Sequence, residues 1–399
     1  MSRPEEIYSE LTELLKRRKS QIYDIEILPF GFSPLMHDGL SIGITKEALV
    51  QAFIVARGIF FDALKIEKAA LVGNTKDSTE EYPPPPPGPG TDEFDGPVSL
   101  AGEVMLLFDP EHLTACNWRK RRLLRVRDQG SPEQIATTTL REITFTTTLL
   151  RSPLHRHAKS PTLWSHRYWV ISTLPLGTLP NPVHCLAFFI CGQNLEESPY
   201  SILETAHRVV LSELSVVLKS AEHHPMNYYG FSYMRQLLEL VLHILTQSSD
   251  HKNNDSLKSR GYQDNISQNS SEDPLTLRSL VTKDVLEKTH LWCLSHPGDV
   301  SGWSFLRFLL KLVDHSGVCR EIVEKTMQFA IDIAWDGEAL WSFVDNAIRQ
   351  FRACFERDII EDTHAMTANY AKAEYGQARP RHWEARRSWA EFHWKKAES

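Results

Sequence analysis

Hydrophobic positions recur at intervals of three and four residues over most of the chain. Between Pro132 and Leu150, for example, Ile135, Ile143 and Leu150 fall on one stripe of a helical wheel. Such stripes are typical of amphipathic helices that bury one face against a neighbour. The pattern predicts an all-α protein, with minor β structure expected only before Asn74, where Tyr23–Phe32 mixes branched and aromatic residues.

Polar and proline-rich segments divide this pattern into regions. Residues 74–97 contain five consecutive prolines, which predicts an extended, disordered insertion. Residues 247–273 are rich in Ser, Asn, Asp and Lys, and this composition predicts a disordered loop. We therefore expect a divergent N-terminal segment of the array at 1–73, helical repeats at 98–361, and a charged C-terminal tail at 362–399.

A repeat becomes visible at the beginning of the second helix of each apolar pair. An aromatic residue starts each one, and most carry a basic residue three or four positions later; these aromatic residues are Trp118, Trp164, Phe231, Trp303 and, more faintly, Trp341. Once the Pro-, Gly- and Asn-rich segment 175–197 and the polar segment 247–273 are subtracted, the spacing is about 38 to 46 residues. Two helices and their turns have this length, so the repeat predicts an α-solenoid of antiparallel helix pairs.

The motif has a direct physical interpretation as a packing device. An aromatic side chain in the first helical turn fills the groove between neighbouring pairs, and an Arg three positions later lies on the same face. There the Arg can bind carbonyl groups or pair with an acid of a neighbouring helix. We therefore assign a structural role to the motif residues Trp118, Arg121, Trp164, Arg167, Phe231 and Trp303.

Charge and composition exclude several classes of function. The net charge of −7 argues against nucleic-acid binding, although the basic stripe 119–127 leaves an RNA-binding or nuclear-signal alternative open. The six cysteines form no CxxC pair, and the paired histidines lack further ligands at metal-binding spacing, so no metal site is expected in this chain. The longest apolar run, Cys185–Cys191, is too short to span a bilayer, and we expect a cytoplasmic protein without a transmembrane segment.

The helix beginnings resemble those of a known family. Leu163-Trp164-Ser165-His166-Arg167 above all is similar to the repeat of protein prenyltransferase α subunits, and the resemblance covers about Val98 to Phe355. It implies a right-handed superhelical array that wraps a separate β subunit. It also implies an α-subunit-like component of a heterodimeric enzyme that transfers farnesyl or geranylgeranyl to a protein cysteine.

Cofactors and partners follow from the same resemblance. The β subunit is expected to hold zinc, which leaves no cofactor in this chain. The protein substrate would present a C-terminal cysteine, and an isoprenoid diphosphate would lie at the shared interface. A non-catalytic helical-repeat scaffold for protein–protein interaction is the alternative.

The resemblance also points to catalytic candidates. The family's catalytic lysine precedes the second-repeat Trp by five positions, which is Lys159 here, and the third-repeat segment that reads Asn-Tyr-His in the family reads Asn227-Tyr228-Tyr229. Lys159, Tyr228 and Tyr229 are therefore expected to assist departure of the diphosphate. Two departures favour the scaffold alternative: Pro161 replaces an aromatic hydroxyl, and Tyr229 replaces a histidine.

Overall fold

The computed structural model describes residues 4–18, 21–73, 96–154, 156–173, 202–258, 274–313 and 316–351. The chain forms two compact units that meet between Ile244 and Leu245, and each unit is described by itself. Helices dominate both units.

The first unit begins with a helix, a small sheet and a long helix. Helix α1 spans Pro4–Arg17 and α2 spans Lys46–Gly73; between them lie strands β1 (Asp24–Leu28), β2 (Leu35–Asp38) and β3 (Ser41–Thr45). Strand β3 is central, parallel to β1 and antiparallel to β2. Its buried isoleucines, Ile42 and Ile44, lie beside Ile25 of β1, so one face of the sheet joins the core.

Six further helices complete the first unit: α3 (Pro97–Phe108), α4 (Leu113–Gln129), α5 (Pro132–Arg151), α6 (Pro161–Thr173), α7 (Ile202–His223) and α8 (Tyr228–Lys258), the last of which continues into the second unit. Local sequence explains their beginnings. Before α5, Ser131 and Gln134 form a reciprocal capping box, and Pro132 occupies a first-turn position where no N–H is needed. Pro97 and Pro161 likewise begin α3 and α6.

Four more helices lie in the second unit: α9 (Pro274–Ser295), α10 (Val300–Leu312), α11 (Ser316–Asp332) and α12 (Glu338–Gln350). The Asp299 carboxylate caps α10 by accepting the N–H groups of Ser301 and Gly302 at 2.8 and 3.1 Å. Trp303 of α10 stacks on Phe343 of α12 with ring centroids 4.9 Å apart, which joins the two helices through their aromatic cores.

The predicted all-α repeat fold is confirmed, and the β structure lies before Asn74 as expected. The N-terminal segment therefore contains a sheet and is not a helix pair alone. The right-handed superhelix stays a prediction.

The region boundaries differ from expectation at two places. The predicted loop 247–273 is wrong over its first part, because α8 continues as a helix to Lys258. This stretch is polar but contains no Pro or Gly before Gly261, so nothing in its backbone stops helix propagation. Helix α3 already begins at Pro97, so the predicted insertion 74–97 is one residue too long. The rest of that insertion before Gly96, residues 259–273 and the tail 362–399 lie outside the described residues.

Within the described ranges, no helix is both long and apolar enough to cross a membrane.

The packing of α9 against α10 leaves no room for a side chain at Gly302, and this can be tested. A Cβ added there would lie 2.5 Å from Cζ3 of Trp292 and 3.2 Å from Sγ of Cys293. Gly302→Ala should lower the free energy of unfolding by about 1 to 3 kcal/mol, because the indole cannot move away within a packed core. Gly317→Ala is the matched control, since its Cβ would meet nothing within 4 Å at the beginning of α11. It should be neutral or stabilising by up to about 1 kcal/mol. Urea denaturation of both variants measures the difference, and equal stabilities would contradict the packing.

Candidate functional site

Three of the repeat tryptophans make the same type of hydrogen bond. The indole N–H of Trp164 donates to the carbonyl of Ala158 at 2.7 Å, Trp303 donates to Pro297 at 2.9 Å, and Trp341 donates to Trp335 at 2.9 Å. In each case the acceptor lies six residues earlier, in the turn before the helix. The rings are at most 2% exposed. The motif therefore fixes the shape of the turn that precedes each of these helices.

In the first unit this turn is also bound to the next helix pair. The Ala158 carbonyl accepts a second hydrogen bond from the Asn227 side-chain amide at 2.8 Å and a third, longer one from Ser220 at 3.4 Å. The Asn227 amide also donates to Ser220 Oγ at 3.0 Å. One buried carbonyl thus joins the turn before α6 to the end of α7 and the beginning of α8. We call this group the Ala158 junction.

Asn227 is also the N-cap of α8. Its side-chain oxygen accepts the N–H of Gly230 at 3.0 Å, which satisfies a free donor of the first turn. Gly230 is closely packed, since a Cβ there would lie 3.1 Å from the Trp164 ring and the ring would have to shift. The preceding Met226 has a φ of 61°, a left-handed conformation that costs a branched or long side chain about 1 to 2 kcal/mol. The chain accepts this cost where α7 turns into α8.

The turn before α6 is anchored on both sides of Lys159. The His157 ring is buried, with its Nε2 3.0 Å from the carbonyl of Leu106. Burial lowers the pKa of His157 to about 4, although its hydrogen bonds to backbone carbonyls oppose that shift. The ring is therefore neutral near pH 7 and its Nε2–H donates to Leu106. Ser160 Oγ accepts the N–H of Leu163 at 3.0 Å and caps α6.

The three catalytic candidates all emerge beside the Ala158 junction. Lys159 follows Ala158 directly and is exposed, whereas Tyr228 and Tyr229 follow Asn227 and are 55% and 50% exposed. Because the Asn227 side chain donates to the Ala158 carbonyl, the chain positions that carry the ammonium group and the two phenols lie near one another. An ammonium and two phenolic O–H groups are donors suited to an anionic ligand. Their catalytic role stays a prediction.

A chain of buried ion pairs holds the helices that carry this surface. The carboxylate of Glu142 on α5 accepts Nε and Nη2 of Arg119 at 2.8 and 2.7 Å, and His166 Nε2 lies 2.7 Å away. Arg119 also approaches Glu103 of α3 at 3.5 Å, which Arg18 binds through two hydrogen bonds of 3.0 Å. Burial alone would raise the pKa of Glu142, but the Arg119 charge and the His166 hydrogen bond outweigh it. The pKa of Glu142 consequently lies well below its usual range.

A second buried ion pair continues this chain to α8. Arg167 binds Glu213 of α7 through Nε and Nη2 at 2.7 and 2.6 Å, and its Nη1 donates to Thr146 and Thr147 of α5 at 2.8 Å. Tyr233 of α8 donates to the same carboxylate at 2.5 Å. Burial alone would lower the pKa of Arg167, but the charge of Glu213 outweighs it and raises the pKa. The motif residue Arg167 of α6 is therefore buried and hydrogen-bonded to side chains of both α5 and α7.

In the first repeat, the basic residue predicted to be buried is not one of those that the structure buries. Trp118 is buried and packs edge-on against Phe60 at 5.7 Å, but Arg121, which was assigned to the packed face, is exposed. Arg119 and Arg122 are buried in its place, and Arg122 donates to Ser99 Oγ at 2.7 Å. The run Arg119–Arg122 holds four consecutive basic residues, so the burial of two of them depends on where the acids of neighbouring helices lie.

The acidic partners are the residues that sequence reasoning missed. Glu103, Glu142 and Glu213 are each buried on apolar helix faces, far along the chain from the arginines they bind. A glutamate inside an apolar stripe was the available signal, because buried carboxylates are paired.

Phe231 is fully buried at the position where the other repeats have Trp. The ring centroids of Tyr233 and Trp164 lie 5.1 Å apart. In the described part of the chain, no group of three His, Cys, Asp or Glu residues is arranged to bind a metal ion.

Two substitutions on α4 test whether Arg119, and not Arg121, is the buried arginine. Arg119→Ala should lower the free energy of unfolding by about 3 to 5 kcal/mol, because it leaves the buried Glu142 carboxylate without its main partner. Arg121→Ala, two positions away on the exposed face, should change it by about 0.5 kcal/mol or less. Chemical denaturation compares the two variants with the wild type. A larger loss for Arg121→Ala would restore the register predicted from the sequence.

The buried His157 predicts a dependence of stability on pH. Its pKa is about 4 in the folded chain and about 6.5 when unfolded. The unfolded chain therefore binds more protons between these values, and stability present above pH 6.5 is lost as the pH falls toward 4. From pH 7 to pH 5.5, this residue alone should reduce the free energy of unfolding by about 1 kcal/mol.

His157→Gln removes the titrating group and should reduce the pH dependence by that amount. His37→Gln is the control, because His37 is exposed on β2. Urea denaturation at the two pH values measures both. An unchanged pH dependence in His157→Gln would show that this ring is not buried in its neutral form.

Comparison with known proteins agrees with this architecture. The sequence model of the family "Protein prenyltransferase alpha subunit repeat" matches residues 139–174, 210–241 and 282–313. These segments correspond to the helix pairs α5/α6, α7/α8 and α9/α10. They contain Trp164, Phe231 and Trp303, whereas the helices that carry Trp118 and Trp341 lie outside the matched residues.

Two curated relatives carry the same repeat in their names. The human protein "Protein prenyltransferase alpha subunit repeat-containing protein 1" is 25% identical over 223 residues, which are 56% of this chain and 42% of the relative. The zebrafish (Danio rerio) protein of the same name is 26% identical over 210 residues, 52% of this chain and 36% of the relative. The chain therefore matches less than half the length of these relatives. With three matched segments, the chain contains the protein prenyltransferase alpha subunit repeat and is similar to these repeat-containing proteins.

Proposed function

We propose that this chain is the α-like subunit of a heterodimeric protein prenyltransferase. The observation that carries the proposal is the position of Lys159. Its turn is fixed by His157, Ala158 and Ser160, yet its own side chain is exposed. A lysine on a rigid turn beside two phenols can place positive charge at a defined point of a subunit interface.

In the proposed reaction, Lys159 would act only on the leaving group. The thiolate of the acceptor cysteine attacks C1 of the isoprenoid diphosphate, a C–S bond forms, and the C1–O bond breaks. The diphosphate leaves with the bonding electron pair, while the thiol proton has already passed to solvent. Negative charge grows on the departing oxygen, and Lys159 would stabilise it with help from the Tyr228 or Tyr229 hydroxyl.

The remaining chemistry would belong to the partner. In the proposed heterodimer a β subunit binds the isoprenoid and supplies zinc, which lowers the pKa of the acceptor thiol. The described helices of this chain would contribute a rigid surface and the donors beside the Ala158 junction. This division of labour makes the chain inactive by itself and active only in complex.

A non-catalytic scaffold is the second candidate, and Pro161 favours it. Pro161 is the first residue of α6, so it begins the helix without a side-chain hydroxyl or an N–H next to the exposed lysine. The surface therefore has fewer donors than the family pattern implies. A helical-repeat protein that binds partners without catalysing transfer would keep the buried ion pairs and lose this surface.

Substitution of Lys159 separates the two candidates. In a heterodimer reconstituted with a prenyltransferase β subunit, Lys159→Ala should leave complex formation intact, because one exposed lysine contributes little to a large interface. Single-turnover transfer should fall by about tenfold to a thousandfold, or about 1.4 to 4 kcal/mol of barrier. Lys219→Ala is the matched control, since this exposed lysine pairs with Glu222 on α7 and should leave the rate unchanged.

The complex is verified by size exclusion before each rate is measured. Equal rates for wild type and Lys159→Ala would mean that the chain supplies no catalytic cation. Failure to form a complex with any β subunit would favour the scaffold.

A further inference from the structure

The N-terminal sheet has an outer face that the repeat architecture does not use. Pairing across the sheet places Asp24, Ser41 and Asp38 in one row, and Glu26, Gly43 and Met36 in the next. Paired residues of neighbouring strands project to the same side of a sheet. These two rows are opposite to the buried face that carries Ile25, Ile42 and Ile44. We call this side the outer sheet face.

One end of the outer sheet face is apolar. A Cβ added at Gly43 would lie 2.8 Å from the Leu28 methyl groups, so the Leu28 side chain covers Gly43. Met36, beside Gly43 in the same row, is 48% exposed. This end of the face therefore presents the apolar side chains of Leu28 and Met36.

The loop from β1 to β2 extends this apolar end. Phe30 is 91% exposed and Phe32 is 56% exposed, although each is a large apolar ring. Prolines flank the loop at positions 29 and 34 and restrict its backbone. Four of the fourteen large apolar side chains that are exposed in the described ranges fall within residues 30–40. Such a concentration marks an interaction surface, whereas single exposed apolar residues do not.

The outer sheet face also carries three acids, Asp24 and Asp38 in the row at its other end and Glu26 in the row of Met36. Asp24, Glu26 and Asp38 are all exposed, and no cation of the described ranges lies within ion-pair distance of them. The sequence from Gln21 to Thr45 contains no Lys or Arg. The segment that forms the sheet therefore carries three negative charges without an ion-pair partner in the described ranges, in addition to its exposed aromatic rings.

We propose that the outer sheet face and the Phe30–Phe32 loop bind a partner protein through a segment that combines apolar side chains with Lys or Arg. The aromatic rings would serve as anchors, because a restricted loop loses little conformational entropy when they are buried. The acidic row would select for the basic residues and accelerate association. This interface is separate from the Lys159 surface and does not depend on the proposed transferase role.

Charge excludes the other occupants of such a surface. An anionic membrane would attract the two phenylalanines but would be repelled by the three acids. A second copy of this chain, bound face to face by two-fold symmetry, would bring the acidic rows of both copies together. A basic protein segment satisfies both ends of the face at once.

A peptide library tests this chemistry directly. The full chain and a Phe30→Ser/Phe32→Ser variant are each panned against random dodecapeptides, with Ile66→Ser as the matched control. Ile66 is 72% exposed on α2 and lies outside the outer sheet face. Peptides selected by the wild type and by Ile66→Ser, but lost in the phenylalanine variant, should be apolar with net positive charge. Melting temperatures should be equal, because both changes lie at exposed positions.

Affinities of a selected peptide give the second measurement. Asp24→Asn/Glu26→Gln should weaken binding by about tenfold and reduce its dependence on NaCl. The proposal is overturned if no peptide distinguishes the wild type from the phenylalanine variant, or if the selected peptides are neutral or acidic. It is also overturned if vesicles of phosphatidylcholine and phosphatidylserine bind the wild type through Phe30 and the peptides do not.

Discussion

The ion pair between Arg119 and Glu142 is the constraint on which the first unit depends. Both groups are almost fully buried, and either one alone would be an uncompensated charge in an apolar interior, at a cost of several kcal/mol. Their pairing continues through Glu103 to Arg18 on one side and to His166 on the other. Next to His166, Arg167 begins the second pair with Glu213. Each of α3 to α7 therefore contributes a charged group whose partner lies on another helix, and this requirement fixes how the helices align.

This constraint reaches the surface through α6. Arg167 and Trp164 lie one turn apart, and the first holds the helix while the second holds the preceding turn through the Ala158 carbonyl. Lys159 follows that carbonyl, so its exposed position is set by buried groups that never touch a ligand. A substitution at Glu213 would thus disturb the candidate site from within the core, since the position of Arg167 would be lost.

The sequence was sufficient for the helical class, the repeat length and the burial of Trp164, Phe231 and Trp303, because all of these depend on local periodicity. It was insufficient for Arg121, since four adjacent basic residues look alike until the distant Glu142 selects one of them. The end of α8 was misjudged for a different reason, because polar composition is compatible with both a loop and an exposed helix. The exposed lysine and tyrosines could be named but not located relative to one another, because the Ala158 junction joins residues far apart in the chain.

The geometry also shows what the family motif can establish. Its Trp and Arg are buried and serve the alignment of helices, so they would persist in any member that keeps the fold, whatever its activity. In the proposed function, the chemistry would instead depend on the exposed residues of the turns, where substitution leaves the core untouched. Pro161 illustrates this independence, since proline at a first helical position suits the beginning of α6 and yet removes a hydroxyl from the surface. The repeat therefore defines the scaffold, whereas the activity proposed for this chain would depend on Lys159, Tyr228 and Tyr229, which the scaffold only positions.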